Sequence, residues 1–360
     1  MLLGSRSTPR RIVAAAATTI LAGIMLTLMI IKLPYSGRLL RHSRDLSHFQ
    51  NLHNTTNVSG SLAFKNTTIG SIKIKEHIPG WPYPLLINDP NACRDDDIYL
   101  LNTVTSNPSQ VYHREMIRNM WGRKDIASQL KIKTVFIVGK VPSDITQQHL
   151  MEENDKYGDI IQFDFLETRK NLTIKSLAAI HWFRAYCPNA TWVLKVDVDA
   201  YVNFWALLEV LRPVNDTKDA VCSRSLSRIV CREANEYGCY PHYVVTPEEY
   251  PLEVYPPYCQ GYAYIFHKDF ADRMLKLDQQ RTGPPFWIED VYVTGLLTRN
   301  LRPRWLDIRR HSEVTPYEIE SRFYDGKMFF IHDLEGQIGQ GATNYVWNKT
   351  LQHYNITLPS

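Results

Sequence analysis

The sequence predicts an α/β domain with a mostly parallel central sheet, because short apolar runs alternate with longer segments of helical character. The predicted strands are 97–106, 131–140, 159–165 and 191–199. The predicted helices are 111–121, 143–155 and 171–187. Strands that alternate with helices typically form a parallel sheet with helices on both faces. A chain of 360 residues, 44% of them hydrophobic and 22% charged, is long enough to bury such a core.

An apolar segment near the N-terminus predicts a transmembrane helix before this domain. Residues 12–31, IVAAAATTILAGIMLTLMII, carry no charge, and a helix of this length spans a bilayer core of roughly 30 Å. A cleaved signal peptide is the alternative, but its apolar region has about 7 to 15 residues and ends at a small-residue cleavage site. The following residues, IIKLPYSG, offer no such site. We therefore expect a retained signal-anchor at 12–31 and a cytosolic tail at 1–11.

N-glycosylation sequons indicate the orientation of this anchor. Basic residues flank the apolar segment on both sides, so the positive-inside rule does not decide it. Eight N-x-[ST] sequons all follow the anchor, as expected for a lumenal chain. Their asparagines are Asn54, Asn57, Asn66, Asn171, Asn189, Asn215, Asn348 and Asn355. The sequence therefore predicts a single-pass type II membrane protein.

The cysteines also indicate an oxidising, lumenal compartment. All six follow the anchor: Cys93, Cys187, Cys222, Cys231, Cys239 and Cys259. Their spacing fits no common zinc pattern, so we predict disulfides, although the spacing alone selects no pairing.

The remaining organisation follows from composition. Residues 32–90 are rich in Asn, Ser, Thr and His and show little hydrophobic periodicity, which is typical of a stem. We expect the folded domain at 91–360. The formal net charge is +4, and the basic residues form no stripe with interleaved aromatics, so nothing favours a nucleic-acid partner.

Two aspartates at the end of the last predicted strand suggest a metal site. In WVLKVDVDAYVN, Asp197 and Asp199 lie two residues apart, so their side chains point to the same side of the strand while Val198 points to the core. Two carboxylates so placed suit Mn²⁺ or Mg²⁺, which can hold a diphosphate. A D-x-D pair also arises by chance, and Asp95 and Asp97 form another. The strand context favours the metal interpretation for Asp197 and Asp199.

Two further segments carry candidate functional groups. In PPFWIEDVYVTGLL, Glu289 and Asp290 could cap a helix N-terminus, or one could be a general base whose basicity is raised beside apolar neighbours. In FFIHDL, His332 follows a short apolar strand. It could be structural, or it could supply a nitrogen ligand to the metal.

Five ordered segments resemble the beta-1,3-galactosyltransferase family, glycosyltransferase family 31. They are REMIRNMWG at 114–122, FDFLETRKNLTIKS at 163–176, VLKVDVDAYVN at 193–203, YPPYCQGYAYIF at 255–266 and EDVYVTG at 289–295. The match runs over roughly two thirds of the chain, from about Asp96 to His332. The resemblance implies a GT-A-type nucleotide-sugar-binding domain in the Golgi membrane. It also implies inverting transfer of a sugar from a UDP-sugar, in beta-1,3 linkage, to a glycan on lipid or protein.

The resemblance also implies roles for individual residues. Asp197, Asp199 and His332 match the metal site, and Asp290 matches the general base. A second set of residues matches or neighbours positions that shape the substrate site: Arg114, Arg118, Trp121, Lys175 and Glu289.

Three positions depart from the family pattern. Val198 stands where the family commonly has a third acid in the metal motif, and Glu167 and Arg169 replace a usual aspartate and tyrosine. The donor could therefore be UDP-galactose, UDP-N-acetylglucosamine or UDP-N-acetylgalactosamine.

An inactive, lectin-like protein on the same fold is the alternative, but such a relative would be free to lose Asp199 and Asp290. A glycosidase would need two carboxyl groups flanking the bond and has no use for a nucleotide site.

Overall fold

The computed structural model describes most of the predicted domain. The described residues are 76–94, 97–226, 228–235, 239–312, 328–339 and 341–358. They lie in one compact unit, Ile69–Ser360. The predicted cytosolic tail, the membrane anchor at 12–31 and most of the predicted stem lie outside them. Within the described ranges, no helix combines the length and apolar character needed to cross a bilayer.

The described part contains one large mixed sheet and one two-stranded sheet. Its strands are β1 (Leu85–Ile87), β2 (Leu100–Thr105), β3 (Ile132–Lys140), β4 (Ile160–Leu166), β5 (Trp192–Asp197), β6 (Ala200–Val202), β7 (Ala220–Ser225), β8 (Tyr258–His267), β9 (Trp305–Asp307) and β10 (Phe330–His332). The large sheet has the order β1-β4-β3-β2-β5-β8-β7-β9, and β6 pairs with β10. The central strands β4, β3, β2 and β5 are parallel, whereas β1 and β8 flank them antiparallel. The predicted strands and the mostly parallel sheet are confirmed.

Helices connect these strands, and the predicted ones are confirmed. The helices are α1 (Val111–Asn119), α2 (Lys124–Leu130), α3 (Asp144–Tyr157), α4 (Leu172–Tyr186), α5 (Phe204–Leu211), α6 (Lys268–Gln279), α7 (Leu334–Ile338) and α8 (Ala342–His353), with a π-helical segment at Val291–Leu296. Four of them, α3, α5, α6 and α7, begin at side-chain caps, of which those of α3 and α5 are typical. Ser143 Oγ accepts the backbone N–H of Thr146 before α3, and Asn203 Oδ1 accepts that of Ala206 before α5.

The alternation of side chains along the strands builds a core on each face of the sheet. On β2, Leu100 and Val104 belong to one apolar cluster, and Leu101 belongs to the other. Helices α1, α2 and α5 contribute to the first cluster, and α4 and α6 contribute to the second. Helices therefore cover both faces, as expected for a parallel sheet.

The six cysteines form three disulfides, which confirms the prediction and supplies the pairing that spacing could not. Cys93–Cys187 joins the segment before β2 to the end of α4, and Cys222–Cys259 joins β7 to β8. Cys231–Cys239 closes a short loop in the segment between these two strands.

The folded domain begins earlier than the predicted boundary at residue 91. Strand β1 pairs with β4 through Leu85 and Phe163, and Trp81 is buried in the core. The side chain of Glu76 accepts a hydrogen bond from Asn88 at 2.7 Å. The part of the predicted stem from Glu76 onward is thus folded, since its few apolar residues cover an otherwise exposed edge and face of the sheet.

Candidate active site

Three candidate metal ligands meet where β5 ends. Strand β5 stops at Asp197, the chain turns through Val198, and β6 begins directly after Asp199. The antiparallel pairing of β6 with β10 then sets His332 opposite Ala200. One ligand atom from each of Asp197, Asp199 and His332 lies within 4.8 Å of the others. The turn, rather than strand alternation alone, makes the two carboxylates converge.

This group of atoms fits a divalent cation. Two carboxylate oxygens and an imidazole nitrogen suit Mn²⁺ and also Mg²⁺. The side chains of Asp199 and His332 are 43% and 42% exposed, so a ligand can reach them. Thr105 Oγ1 donates to Asp197 Oδ1 at 2.8 Å, and the ring of Tyr262 stacks on His332. Such neighbours orient metal ligands.

Electrostatic pairing between Asp199 and His332 favours the charged form of each group. His332 Nε2 lies 3.5 Å from Asp199 Oδ1. Burial by itself would raise the pKa of Asp199, but the interaction with His332 outweighs it and lowers this pKa. The same interaction raises the pKa of His332. The carboxylate of Asp199 is therefore ionised at neutral pH.

Lys195 connects the metal ligands to a second acidic pair. It lies two residues before Asp197 on β5, so the two side chains share one face. Its buried Nζ donates to Asp197 Oδ1 at 2.7 Å and to the carbonyl of Gly261 at 2.5 Å, and it lies 3.6 Å from Glu289 Oε2. Burial alone would lower the pKa of Lys195, but the charges of Asp197 and Glu289 raise it. Lys195 is thus a fixed cation between the two carboxylates.

Glu289 lies below the surface of the site. Its side chain is buried and accepts a hydrogen bond from the hydroxyl of Tyr264. Burial raises the pKa of its carboxyl group. The carboxylate of Glu289 is thus enclosed by Tyr264 and Lys195, and its part in the substrate site stays a prediction.

Asp290 is the more accessible of the two acids. Its Oδ1 accepts the backbone N–H of Val291 at 2.8 Å, so it caps the π-helical segment. Its Oδ2 faces Gly261 on β8, where an added Cβ would lie 3.4 Å away. Burial, and then the negative charge of Glu289, raise the pKa of Asp290 to about 7. The carboxylate of Asp290 therefore caps the helical segment and also has the raised pKa expected of a general base.

The raised pKa of Asp290 predicts how activity depends on pH. A general base must be ionised to accept a proton, so kcat/KM should rise with pH and level off above about 7. Initial rates between pH 5 and pH 9 measure this profile, with Mn²⁺ affinity followed over the same range as the control. A kcat/KM that stays constant down to about pH 5 would contradict the assignment of Asp290 as the base.

Lys175 lies beneath the candidate site, at the carboxyl edge of the sheet. Its buried Nζ donates to the carbonyl of Ser106 at 2.8 Å and to the carboxylate of Glu167. The other oxygen of Glu167 accepts the backbone N–H of Gly139 at 2.7 Å. These contacts tie together the carboxyl ends of β2, β3 and β4, where ligands bind in sheets of this kind.

A known protein family matches the part of the chain that carries most of the candidate site. The family model described as galactosyltransferase matches residues 112–309, which is more than half of the chain and contains Asp197, Asp199 and Asp290. The chain belongs to the galactosyltransferase family. His332 lies beyond the matched residues, and the structure places it beside the two aspartates, as the sequence analysis predicted.

Three human relatives illustrate the range of this galactosyltransferase family. The chain is 32% identical to beta-1,3-galactosyltransferase 5 over 64% of its own length and 72% of the relative's. It is 30% identical to beta-1,3-galactosyltransferase 2 over 70% and 57%, respectively. It is 32% identical to UDP-GalNAc:beta-1,3-N-acetylgalactosaminyltransferase 1 over 58% and 62%. The chain therefore spans less than two thirds of the length of two of these three relatives.

Three predicted substrate residues of this family member do not join the site. Arg114 is fully buried, pairs with Glu153 at 2.6 Å and donates to the carbonyls of Asn107 and Pro108. It therefore supports the loop after β2 from below. Trp121 is 1% exposed and packs edge-on against Phe204, so its role is packing.

Arg118 lies at the opposite edge of the sheet. It pairs with Glu153 and Asp159 at 2.7 Å and lines a cavity with Ile98, which comes just before β2, and Ile132, which begins β3. The predicted substrate roles of Arg114, Arg118 and Trp121 therefore stay predictions. All three contact protein groups on α1, α3 and the adjoining loops or core.

Several site residues were absent from the sequence-based prediction. Thr105, Gly261 and Tyr264 reach the site only because β2 and β8 flank β5 in the sheet. Lys195 could have been predicted from the sequence, because it lies two residues before Asp197 on the same strand and its side chain therefore points to the same face of the sheet.

The predicted glycosylation sites fall into three groups. Asn189, Asn348 and Asn355 are exposed. Asn171 and Asn215 are half-buried: Asn171 Nδ2 donates to the carbonyl of Leu166, and Asn215 Oδ1 accepts from Trp192 Nε1. The last group, Asn54, Asn57 and Asn66, lies outside the described residues.

Proposed function

We propose that the protein is an inverting, UDP-sugar-dependent beta-1,3-glycosyltransferase with a GT-A-type domain. It transfers a hexose or N-acetylhexosamine to a hydroxyl of a glycan acceptor carried by lipid or protein. The observation that carries the proposal is the connected acidic centre at the carboxyl edge of the sheet. There, Lys195 links Asp197 of the metal-ligand group to Glu289, the neighbour of the accessible acid Asp290.

The residues of this centre have separable tasks in such a transfer. Asp197, Asp199 and His332 would hold Mn²⁺ or Mg²⁺, which supplies positive charge to a bound diphosphate. Asp290 takes the proton of the acceptor hydroxyl as that oxygen attacks the anomeric carbon, while the bond from this carbon to the diphosphate oxygen breaks and UDP leaves with the electron pair. One base without a second carboxylate nucleophile forms no covalent sugar–enzyme intermediate. The configuration at the anomeric carbon is therefore inverted, as in the inverting class of glycosidases. Lys195 holds Asp197 in place and balances the local negative charge.

The identity of the donor sugar is open to a direct test. The names of the three relatives include both galactosyl and N-acetylgalactosaminyl transfer. We expect one of UDP-galactose, UDP-N-acetylglucosamine and UDP-N-acetylgalactosamine to give acceptor-dependent UDP release from the purified lumenal portion with Mn²⁺. If none does so across a panel of glycan acceptors, the alternative of an inactive glycan-binding protein is favoured.

We also propose that the domain lies in the Golgi lumen behind the anchor at 12–31. The support is the position of the sequons and of the three disulfides, all of which follow that segment. In sealed microsomes, the domain should resist external protease and should gain mobility on glycosidase treatment. A C-terminal epitope that protease removes without detergent would overturn this orientation.

A further inference from the structure

Aromatic rings from two segments lie near the active-site edge: three exposed rings follow the disulfide Cys231–Cys239 between β7 and β8, and the half-buried Trp287 comes just before Glu289. We call Tyr240, His242, Tyr243 and Trp287 the aromatic strip. Tyr240 is 64% exposed and Tyr243 is 40% exposed, whereas large rings are usually far more buried. Trp287 is three residues before Asp290 in the chain. The strip therefore approaches the proposed base at one end.

The first three rings of the strip are arranged in sequence. Tyr240 stacks on His242 with a centroid distance of 5.6 Å and an angle of 9° between the rings, and His242 contacts Tyr243 at 4.6 Å. The disulfide Cys231–Cys239 ends directly before Tyr240 and limits the freedom of this part of the chain. The rings are thus held in position before any ligand arrives.

Two cationic side chains join the strip to the active-site edge. The guanidinium of Arg169 lies 5.0 Å from the ring centre of Tyr243, and Lys170 Nζ lies 5.3 Å from that of Trp287. Both residues follow the carboxyl end of β4 and precede α4, which carries Lys175. Glu249 completes the connection, because it accepts from Trp287 Nε1 at 3.1 Å and pairs with Lys170 at 3.2 Å.

An apolar cluster beneath the strip fixes it relative to Asp290. Val230 and Val245, from the segment that carries the rings, pack in this cluster with Ile288 and Val291, which flank Asp290 in the chain. The base and the strip therefore share one packed support.

The chemistry of the strip suits a saccharide. A sugar presents a face of C–H groups, which can lie on an aromatic ring, and a rim of hydroxyl groups, which need polar partners. The strip offers ring faces beside the charged groups of Arg169, Lys170 and Glu249. A purely apolar partner would bury these polar groups without hydrogen bonds, which is costly.

We propose that the aromatic strip binds the inner sugars of an oligosaccharide acceptor whose outermost sugar presents its hydroxyl to Asp290. This proposal rests on the glycosyltransferase function proposed above. It makes Tyr243 a residue that determines preference for acceptor length, with no part in donor binding.

The test compares acceptors that share the same outermost sugar but range from a monosaccharide glycoside to a trisaccharide. For the wild-type protein, the acceptor KM should fall as the acceptor lengthens. Tyr243→Ala should raise the KM of the longer acceptors by roughly 3- to 10-fold, the effect expected of one lost aromatic contact. The KM of the monosaccharide glycoside and the KM of the UDP-sugar should not change. Tyr243→Phe keeps the ring face and should retain the preference for longer acceptors.

Tyr345→Ala is the matched control, because it removes a comparably exposed tyrosine from α8. It should leave every KM unchanged. If the wild-type protein transfers to short and long acceptors with equal KM, or if Tyr243→Ala keeps the preference, the strip proposal is wrong and the transferase function stands. If Tyr243→Ala impairs only glycoprotein acceptors, the polypeptide occupies the strip and the proposal is likewise wrong. If the wild-type protein transfers to no acceptor, the proposed function itself fails, and the acceptor role with it.

Discussion

Asp290→Asn should lower turnover by roughly 10²- to 10⁴-fold while leaving the affinity for UDP and Mn²⁺ almost unchanged. Asparagine has nearly the same shape as aspartate, and its side-chain oxygen can still accept the backbone N–H of Val291. The cap of the π-helical segment is therefore kept, and only the ability to take a proton is lost. Initial rates give the turnover, and calorimetry with UDP and Mn²⁺ gives the affinities.

Glu289→Gln is the matched control for this variant. Glutamine can still accept the hydroxyl of Tyr264, but it removes the negative charge that contributes to the raised pKa of Asp290. We expect Glu289→Gln to remain active and to move the rise of kcat/KM to lower pH. If Asp290→Asn turns over at a near wild-type rate while Glu289→Gln is inactive, Asp290 is only a helix cap and Glu289 is the base.

Removal of the divalent cation should abolish transfer, and Mn²⁺ should restore it. Two carboxylates and an imidazole lie within 4.8 Å of one another at this site. Without a cation, the two carboxylates would repel a bound diphosphate. Asp199→Asn should weaken Mn²⁺ binding by at least about 10- to 100-fold, since even residues that only orient a metal ligand have effects of this size. Activity in excess EDTA, with and without added Mn²⁺, and Mn²⁺ titrations measure both effects.

The other D-x-D pair supplies a matched control for the metal prediction. Asp97 carries the same side chain as Asp199, but it precedes β2 at the opposite edge of the sheet, and its carboxylate pairs with Lys131 at the surface. Asp97→Asn should leave the affinity for Mn²⁺ and the rate of transfer unchanged. Full wild-type activity in excess EDTA would remove the cation from the mechanism.

The active-site prediction was most reliable where the chemistry is local. Asp197 and Asp199 are two residues apart, and a turn that keeps them together needs no distant partner. The segment around Glu289 and Asp290 was recognised, but the sequence could not separate the two acids. Tyr264 and Lys195 enclose Glu289, whereas Asp290 is half-buried and caps the π-helical segment. That distinction depends on which side chains the neighbouring strand places beside each acid.

Three of the predicted substrate residues show the same dependence on neighbouring elements. Arg114, Arg118 and Trp121 lie in a segment that resembles the family, and their residue types suit a nucleotide site. The fold instead places Glu153 of α3 beside both arginines and Phe204 of α5 beside the tryptophan. A motif recognised in sequence does not distinguish residues that contact a ligand from residues that hold the surrounding structure.

The sequence by itself determined the elements of the α/β domain, the disulfide-bonded state of the cysteines and the pair of aspartates at the end of β5. Each of these depends on periodicity, composition or spacing within a few residues. Only the tertiary structure decided which cysteines pair, that residues from Glu76 belong to the domain, and that Tyr264 and Gly261 reach the acidic centre. The physical reason is that these contacts join residues far apart in the chain through strand pairing and core packing. Local patterns fix which side of a strand a residue faces, but they do not fix which strand lies next to it.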